Sequence, residues 1–224
     1  MLELDKVTFW ITEGIDVVKR NMAACSLLFL VVLLGSMCTL GLLAGPLLAG
    51  YFIILFRLIE DKRSGVVGTP THPRDLMAGF DYFTNSLLVV CVFIAATILR
   101  ALIYQITGSG FGIFWSLVFF AILVLLVFAI PLIVTHRLSA LDAIKKSCEV
   151  VSKHPATFAA FVGCFYILSF LVSYVVITLF WRLGFLAVLL NLTCSWAIGL
   201  VFFASIAVAH LEVFGKSDNS KRGS

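Results

Sequence analysis

Charge is what this sequence has least of. Asp, Glu, Lys and Arg make up 12% of the 224 residues, and 62% are hydrophobic. A soluble domain carries roughly 25% charged residues and about 45–50% apolar ones. From Asn21 to Phe56 there is no charged residue. One soluble core cannot hide that much apolar surface, so a membrane domain is the default. Acids are also missing from the long apolar runs, since all 12 fall between or beyond them. Proton-coupled transporters and intramembrane metalloenzymes usually need an ionisable group inside the bundle, so both readings lose weight. The six cysteines form no CxxC pair, and Cys25, Cys38, Cys91, Cys164 and Cys194 lie in apolar runs as small hydrophobes. There is no P-loop, GxGxxG, GxSxG or HExxH sequence. No catalytic residue, metal ligand or cofactor site is assigned. The net charge of +4 comes from short basic clusters, which is no nucleic-acid footprint.

What is present is a series of apolar runs separated by polar links. As one helix the 36 residues Asn21–Phe56 would extend about 54 Å, against a hydrocarbon core of about 30 Å. A hairpin is therefore expected, broken at Gly45-Pro46, with spans over 21–43 and 45–59. Gly41, Gly45 and Gly50 would let backbones approach near the turn. The run 45–59 is short, so a half-span is the alternative. Further spans are expected over 85–105, 111–134, 156–180 and 185–211. Gly108-Ser109-Gly110 and Trp181-Arg182-Leu183-Gly184 form the turns between them. Pro131 kinks or ends its helix.

Three amphipathic helices precede the three hairpins. In residues 4–20, Leu4, Val7, Ile11, Gly14, Ile15 and Val18 form one stripe, with Trp10 beside it, and the helix is expected to rest on the membrane. His72-Pro73 opens the second, with Leu76, Phe80, Phe83 and Leu87 on its apolar side. Ser139 starts the third, 139–153, with Leu141, Ile144, Cys148 and Val151 on one face. The residues therefore predict an all-α polytopic membrane helix bundle of about six transmembrane helices with three cytoplasmic-side amphipathic helices. Residues 1–214 form one domain, and 215–224 form a flexible polar tail.

Short sequence echoes accompany this threefold pattern over 1–59, 72–135 and 139–214. Gly14-Ile15-Asp16 resembles Gly79-Phe80-Asp81, His72-Pro73 recurs as His154-Pro155, and Pro46-Leu47-Leu48 recurs as Pro131-Leu132-Ile133. With six spans, 14 of the 16 bases share one side with both termini, leaving only Arg100 and Arg182 opposite. The positive-inside rule makes the richer side cytoplasmic.

The candidate sites are surfaces. Lys145, Lys146 and Lys153 beside the bilayer would attract anionic headgroups at about 1 kcal/mol per base. Arg100 and Arg182 at the other side either snorkel to headgroups or hold a lipid phosphate. Asn191, Thr193 and Ser195 either bond between helices or line a pore. The histidines His72, His136, His154 and His210 lie near the inner boundary and lack ligand spacing.

Two stretches resemble a known family. They are Gly45-Pro46-Leu47-Leu48-Ala49-Gly50-Tyr51 with Arg57 and Asp75–Phe80, and Pro131-Leu132-Ile133 followed by Ser139–Ser147. Together they are similar to six-span bacterial inner-membrane proteins of the YciC type and to the membrane domain of some glycerophosphodiester phosphodiesterases. The resemblance implies six helices in a bacterial inner membrane and carries no catalytic residues. The expected function is a non-enzymatic envelope accessory or scaffold that docks membrane lipid or a protein partner. The alternative is an oligomeric channel or passive carrier for lipid or small solute.

Overall fold

The computed structural model describes residues 4–65, 71–107, 112–180, 182 and 184–221. Every element in it is helical, with no strand among the described residues. The helices are α1 (Leu4–Arg20), α2 (Met22–Cys38), α3 (Ala44–Ser64), a 3₁₀ helix (Pro73–Tyr82), α4 (Phe83–Thr107), α5 (Gly112–Leu126), α6 (Ala129–His136), α7 (Ala140–Lys153), α8 (Pro155–Phe180) and α9 (Phe185–Lys221). Four stretches are long and apolar enough to cross a membrane: Pro73–Ile103, Ser116–His136, Pro155–Phe180 and Phe185–Gly215. A fifth is added if α1 and α2, separated by a break at Asn21, count as one broken span. The protein is thus an all-helical chain with four to five candidate membrane-spanning helices. The expected hairpin 21–59 supplies neither of its two spans by this measure. α2 has only 17 residues, about 25 Å. α3 has 21 residues, but Arg57, Glu60 and Asp61 crowd its second half.

The chain divides into two compact units, residues 1–25 with 156–224, and residues 26–155. In the second unit, α2 and α3 form the expected hairpin. The break lies earlier than Gly45-Pro46, at 39–43, where Leu40 and Gly41 adopt φ of +52° and +88°. Pro46 instead occupies the third position of α3, inside the first turn, where backbone N–H groups have no intrahelical partner anyway. Pro131 has the same place in α6. The helix expected over 111–134 is broken at Val127-Phe128, because a proline clashes with the carbonyl four residues earlier and cannot bond to it. The repeated Pro-Leu-Leu and Pro-Leu-Ile therefore mark the same device, a proline just inside a restarted helix.

The polar link expected from Glu60 begins later, because α3 continues through Ser64 and is closed by Gly65 at φ +71°. Pro73 opens the following helix as anticipated. Asp75 Oδ2 accepts the His72 backbone N–H at 3.0 Å, and Asp75 N–H is given to the His72 carbonyl at 2.9 Å. This segment winds as a 3₁₀ helix, so its packed face repeats every three residues. Leu76 and Gly79 are buried, while the expected Phe80 is half-exposed and Phe83 exposed. Gly79 lies against the Pro46 carbonyl and the Gly50 backbone, and Gly50 lies against the Leu76 carbonyl. Gly45 meets the Ser86 backbone in the same way. A side chain at any of these three positions would collide with main chain, so the glycines set how closely α3, the 3₁₀ helix and α4 pack. Tyr51, Phe52, Ile54, Leu55, Phe128, Leu132 and Ile133 fill the interior.

In the first unit, α1 runs antiparallel along the later part of α9. Gly14 lies against Ser205, and Trp10 Nε1 donates to Glu212 Oε2. Trp10 also stacks on Phe158 of α8 and meets Phe161 edge-on, with ring centroids 5.7 and 5.5 Å away. Phe161 and Phe165 reach Phe202 of α9. The packed face of α1 is Val7, Trp10, Gly14, Val17 and Val18. Leu4, expected in the stripe, is exposed, and Ile11 and Ile15 are half-exposed. This face covers protein, so it does not have to rest in the acyl region. α9 has 37 residues, about 55 Å, and continues as helix through the 215–221 stretch expected to be loose. Residues 222–224 of that tail, the Gly108-Ser109-Gly110 turn, and Trp181 and Leu183 lie outside the described residues. All six cysteines are free thiols, and of them Cys25 is buried while Cys38, Cys91 and Cys164 are exposed.

Candidate functional site: the docked basic helix α7 and its surroundings

α7 begins where the sequence places it. Ser139 Oγ accepts the Asp142 backbone N–H at 3.2 Å and donates to Asp142 Oδ2 at 2.7 Å, and Asp142 suits the positive end of the helix dipole. Its first N–H, from Ala140, is given to Asn85 Oδ1 at 3.2 Å, which ties α7 to the start of α4. The buried face is Ala140, Ala143, Ser147 and Val151. The expected face was rotated from this one, since Leu141 is 67% exposed and Ile144 and Cys148 only half-buried. Small residues win that face because α7 lies close against α5 and α6.

Ser147 is the reason the broken helix can be packed against. Its Oγ donates to the Leu125 carbonyl at 2.6 Å and accepts the Phe128 N–H at 3.3 Å, and the residue has no solvent exposure. These are backbone groups released by the break upstream of Pro131. A buried main-chain group must find some partner, and one hydroxyl serves two of them.

The opposite side of α7 carries Lys145, Lys146 and Lys153. Lys145 and Lys153 are exposed and Lys146 is half-exposed. Lys153 Nζ donates to Glu149 Oε1 at 2.8 Å, an i,i+4 pair open to water on both sides. That hydrogen bond and the charge of Lys153, with a smaller contribution from Lys146, hold the Glu149 carboxyl below its ordinary range. Glu149 thus offsets part of the positive face without abolishing it. In the same unit, Arg57 lies 3.7 Å from Asp75, with the Arg57 side chain 47% exposed. Arg57 near the end of α3 is thus paired to the start of the 3₁₀ helix.

The other candidate residues are not gathered into one place. Arg100 lies between α4 and α5. One guanidinium N–H is given to Ser116 Oγ at a long 3.4 Å, and the group sits 5.4 Å from the Phe119 ring centroid. Arg182 is exposed. On α9, Asn191 and Ser195 share a helix face, whereas Thr193 lies on the other side and donates to its own Leu189 carbonyl at 2.9 Å. The three do not form a common lining.

One buried histidine was not anticipated. His210 is buried at 1% exposure with its ring 4.7 Å from that of Phe214. Glu212, bonded to Trp10, and the buried Ser205 lie on the same helix but on other faces. His72 and His154 are exposed and His136 is half-exposed. The signal in the sequence was the Ala-His-Leu-Glu run, which places a histidine and an acid at the very end of an apolar stretch. Among the described residues no three His, Cys, Asp or Glu side chains are grouped to hold a metal. Compared with known proteins, the chain matches no protein-family model, no curated protein and no solved structure.

Proposed function

We propose that this protein is a non-enzymatic, multi-pass accessory or scaffold protein of the bacterial inner membrane, whose cytoplasmic face docks anionic lipid or a protein partner. The observation that carries the proposal is α7. Its packed side is fixed by Ser147 and Asn85, and its lysines are turned outward from a rigid base. A flexible basic tail would attract anions too, but it would not present them in fixed geometry. The six-span arrangement belongs to the same proposal. The α2–α3 hairpin supplies two crossings beside the four longer stretches, and both termini share the cytoplasmic side with α7. The resemblance to YciC-type proteins supports this reading. The channel or carrier alternative, supported by Phe-rich, Gly-spaced spans with scattered hydroxyls, would gain from a path lined by Asn191, Thr193 and Ser195, and Thr193 faces away from the other two.

The direct test is affinity purification in mild detergent of wild type and of Lys145→Glu with Lys146→Glu. Loss of co-purifying anionic lipid, or of one specific protein, is expected in the variant. Identical lipid and protein profiles would overturn the docking role. The topology is tested separately in a cysteine-free background, using a membrane-impermeant thiol reagent on intact cells. Gly108→Cys should be labelled and Lys62→Cys protected.

A further inference from the structure

Arg100 is a cation in the wrong place for this chain. It lies seven residues before the end of α4, about 10 Å along the helix at about 1.5 Å per residue. If α4 spans the membrane, Arg100 lies three residues from the end of the span Pro73–Ile103, at the edge of the apolar stretch, where a cation seeks an anionic partner. The sequence offers no acid between Asp81 and Asp142. Among the described residues no carboxylate pairs with Arg100.

What Arg100 does have is neutral. A guanidinium carries five N–H donors in a planar fork. One of them makes the 3.4 Å bond to Ser116 Oγ, longer than the usual 2.7–3.2 Å range, and the Phe119 ring covers the group at 5.4 Å. Among the described residues, these contacts hold the side chain and leave most of its donors and its whole charge unanswered. Arg100 is half-exposed, and Leu99 and Leu117, the chain neighbours of Arg100 and of its partner Ser116, are more than half-exposed. The surface it opens onto is therefore apolar, suited to acyl chains. A ligand for this place must have an anionic, multiply accepting head and a greasy body.

We propose that Arg100, held by Ser116 and Phe119, is the anchoring site for the phosphate of one phospholipid in the leaflet at the end where α4 leads into α5. A phosphate matches the guanidinium fork bidentately, and the chains of the same molecule cover Leu99 and Leu117. A free phosphate would satisfy the charge and leave the apolar surroundings uncovered. The proposal rests on the reading of these helices as membrane spans. It is independent of the α7 lysines, which lie on a different helix.

The test is native mass spectrometry of the delipidated full-length protein titrated with dioleoylphosphatidylglycerol, dioleoylglycerol or inorganic phosphate. Wild type is expected to retain one phosphatidylglycerol with an affinity about tenfold above that of Arg100→Gln. Arg100→Lys should fall between them. Dioleoylglycerol should not distinguish wild type from Arg100→Gln, and millimolar inorganic phosphate should not displace the lipid. Phe119→Ala and Ser116→Ala keep the charge and loosen its mooring, so each should weaken the lipid about threefold even if Arg100→Gln folds poorly. Equal lipid affinity across wild type, Phe119→Ala and every folded Arg100 variant would overturn the site. Displacement by inorganic phosphate would overturn the lipid as its occupant. Should Lys145→Gln with Lys146→Gln abolish this binding while Arg100→Gln does not, the inference fails and the α7 docking role stands.

Discussion

Ser147→Ala is the substitution that most directly tests how the broken helix is held. The change removes one oxygen from a site with no solvent exposure. It leaves the Leu125 carbonyl, reached at 2.6 Å, and the Phe128 N–H, at 3.3 Å, without that partner. A buried backbone group stripped of its partner costs about 1–3 kcal/mol, whereas hydrogen bonds between membrane helices average nearer about 0.6 kcal/mol. The short bond to Leu125 belongs toward the upper figure and the long one to Phe128 toward the lower. The expected loss is about 2 kcal/mol, read from reversible unfolding of the purified protein in mixed micelles. Ser152→Ala is the control. Its hydroxyl also makes a 2.6 Å bond, to the Cys148 carbonyl, but it is exposed and water replaces the bond, so a change within about 0.5 kcal/mol is expected. The cause of the break is tested by adding Pro131→Ala. With alanine at 131 the helix can close its own ladder through 124–131, so the hydroxyl has less to satisfy. Ser147→Ala should then cost about 1 kcal/mol less than it does beside Pro131, a coupling that a double-mutant cycle resolves. Strict additivity would refute the link between proline and serine. Equal losses for Ser147→Ala and Ser152→Ala would refute the plug itself.

Other consequences are simpler. Gly79→Ala puts a methyl group onto the Pro46 carbonyl and the Gly50 backbone, which cannot rotate away, so we expect at least about 2 kcal/mol of destabilisation in the same unfolding assay. Gly65→Ala, whose neighbourhood is open, tests only backbone strain at φ +71° and should cost about 1 kcal/mol. Trp10→Phe keeps the ring contacts with Phe158 and Phe161 and removes the donor to Glu212, for an expected loss of about 1.5–3 kcal/mol, the range for a bond to a charged group. The pH response of the Glu149–Lys153 pair has a fixed sign. Because the folded-state value of Glu149 is lowered, its contribution is present above the unfolded carboxylate value and is lost as pH falls through the lowered one. Both side chains are well exposed, so Glu149→Gln should change acid sensitivity only slightly, and added salt should erase the difference.

Much of the helix map was legible because its signals are local. Ser139 followed by Asp142, His72 before Pro73, and Pro155 after Lys153 each fix a helix start through main-chain valences that neighbouring residues satisfy. The ends of α4 and α8 follow from apolar runs with polar flanks. What could not be read was which side of a helix meets protein. Hydrophobicity picks Leu141, but closeness picks Ala143 and Ser147, and only the partner surface decides between them. In α1 an apolar stripe is equally suited to lipid and to α9, so the position of Trp10 depended on a residue 202 positions later. The 3₁₀ winding of Pro73–Tyr82 moved Gly79 onto the packed face because the repeat is three residues, not 3.6. Arg100 was legible as an isolated base, but its Ser116 and Phe119 partners required the α4–α5 pairing.

The docked helices give two of the short echoes a common structural setting. The 3₁₀ helix packs on α3 through Gly79, and α7 packs on α5 and α6 through Ala143 and Ser147. Within the other unit, α1 packs on α9 through Gly14. In each case an amphipathic helix presents a small residue to the second helix of a hairpin, and the larger apolar side chains lie to either side. Close approach between helices demands few atoms at the contact point and tolerates almost any apolar residue elsewhere. Such a rule keeps one glycine, alanine or serine and lets the surrounding sequence change freely. Gly14-Ile15-Asp16 and Gly79-Phe80-Asp81 are what remains where that rule acts: a small residue at the contact, a bulky one beside it and an acid turned outward. The contact geometry, rather than the hydrophobic pattern, is therefore the property that the three segments share.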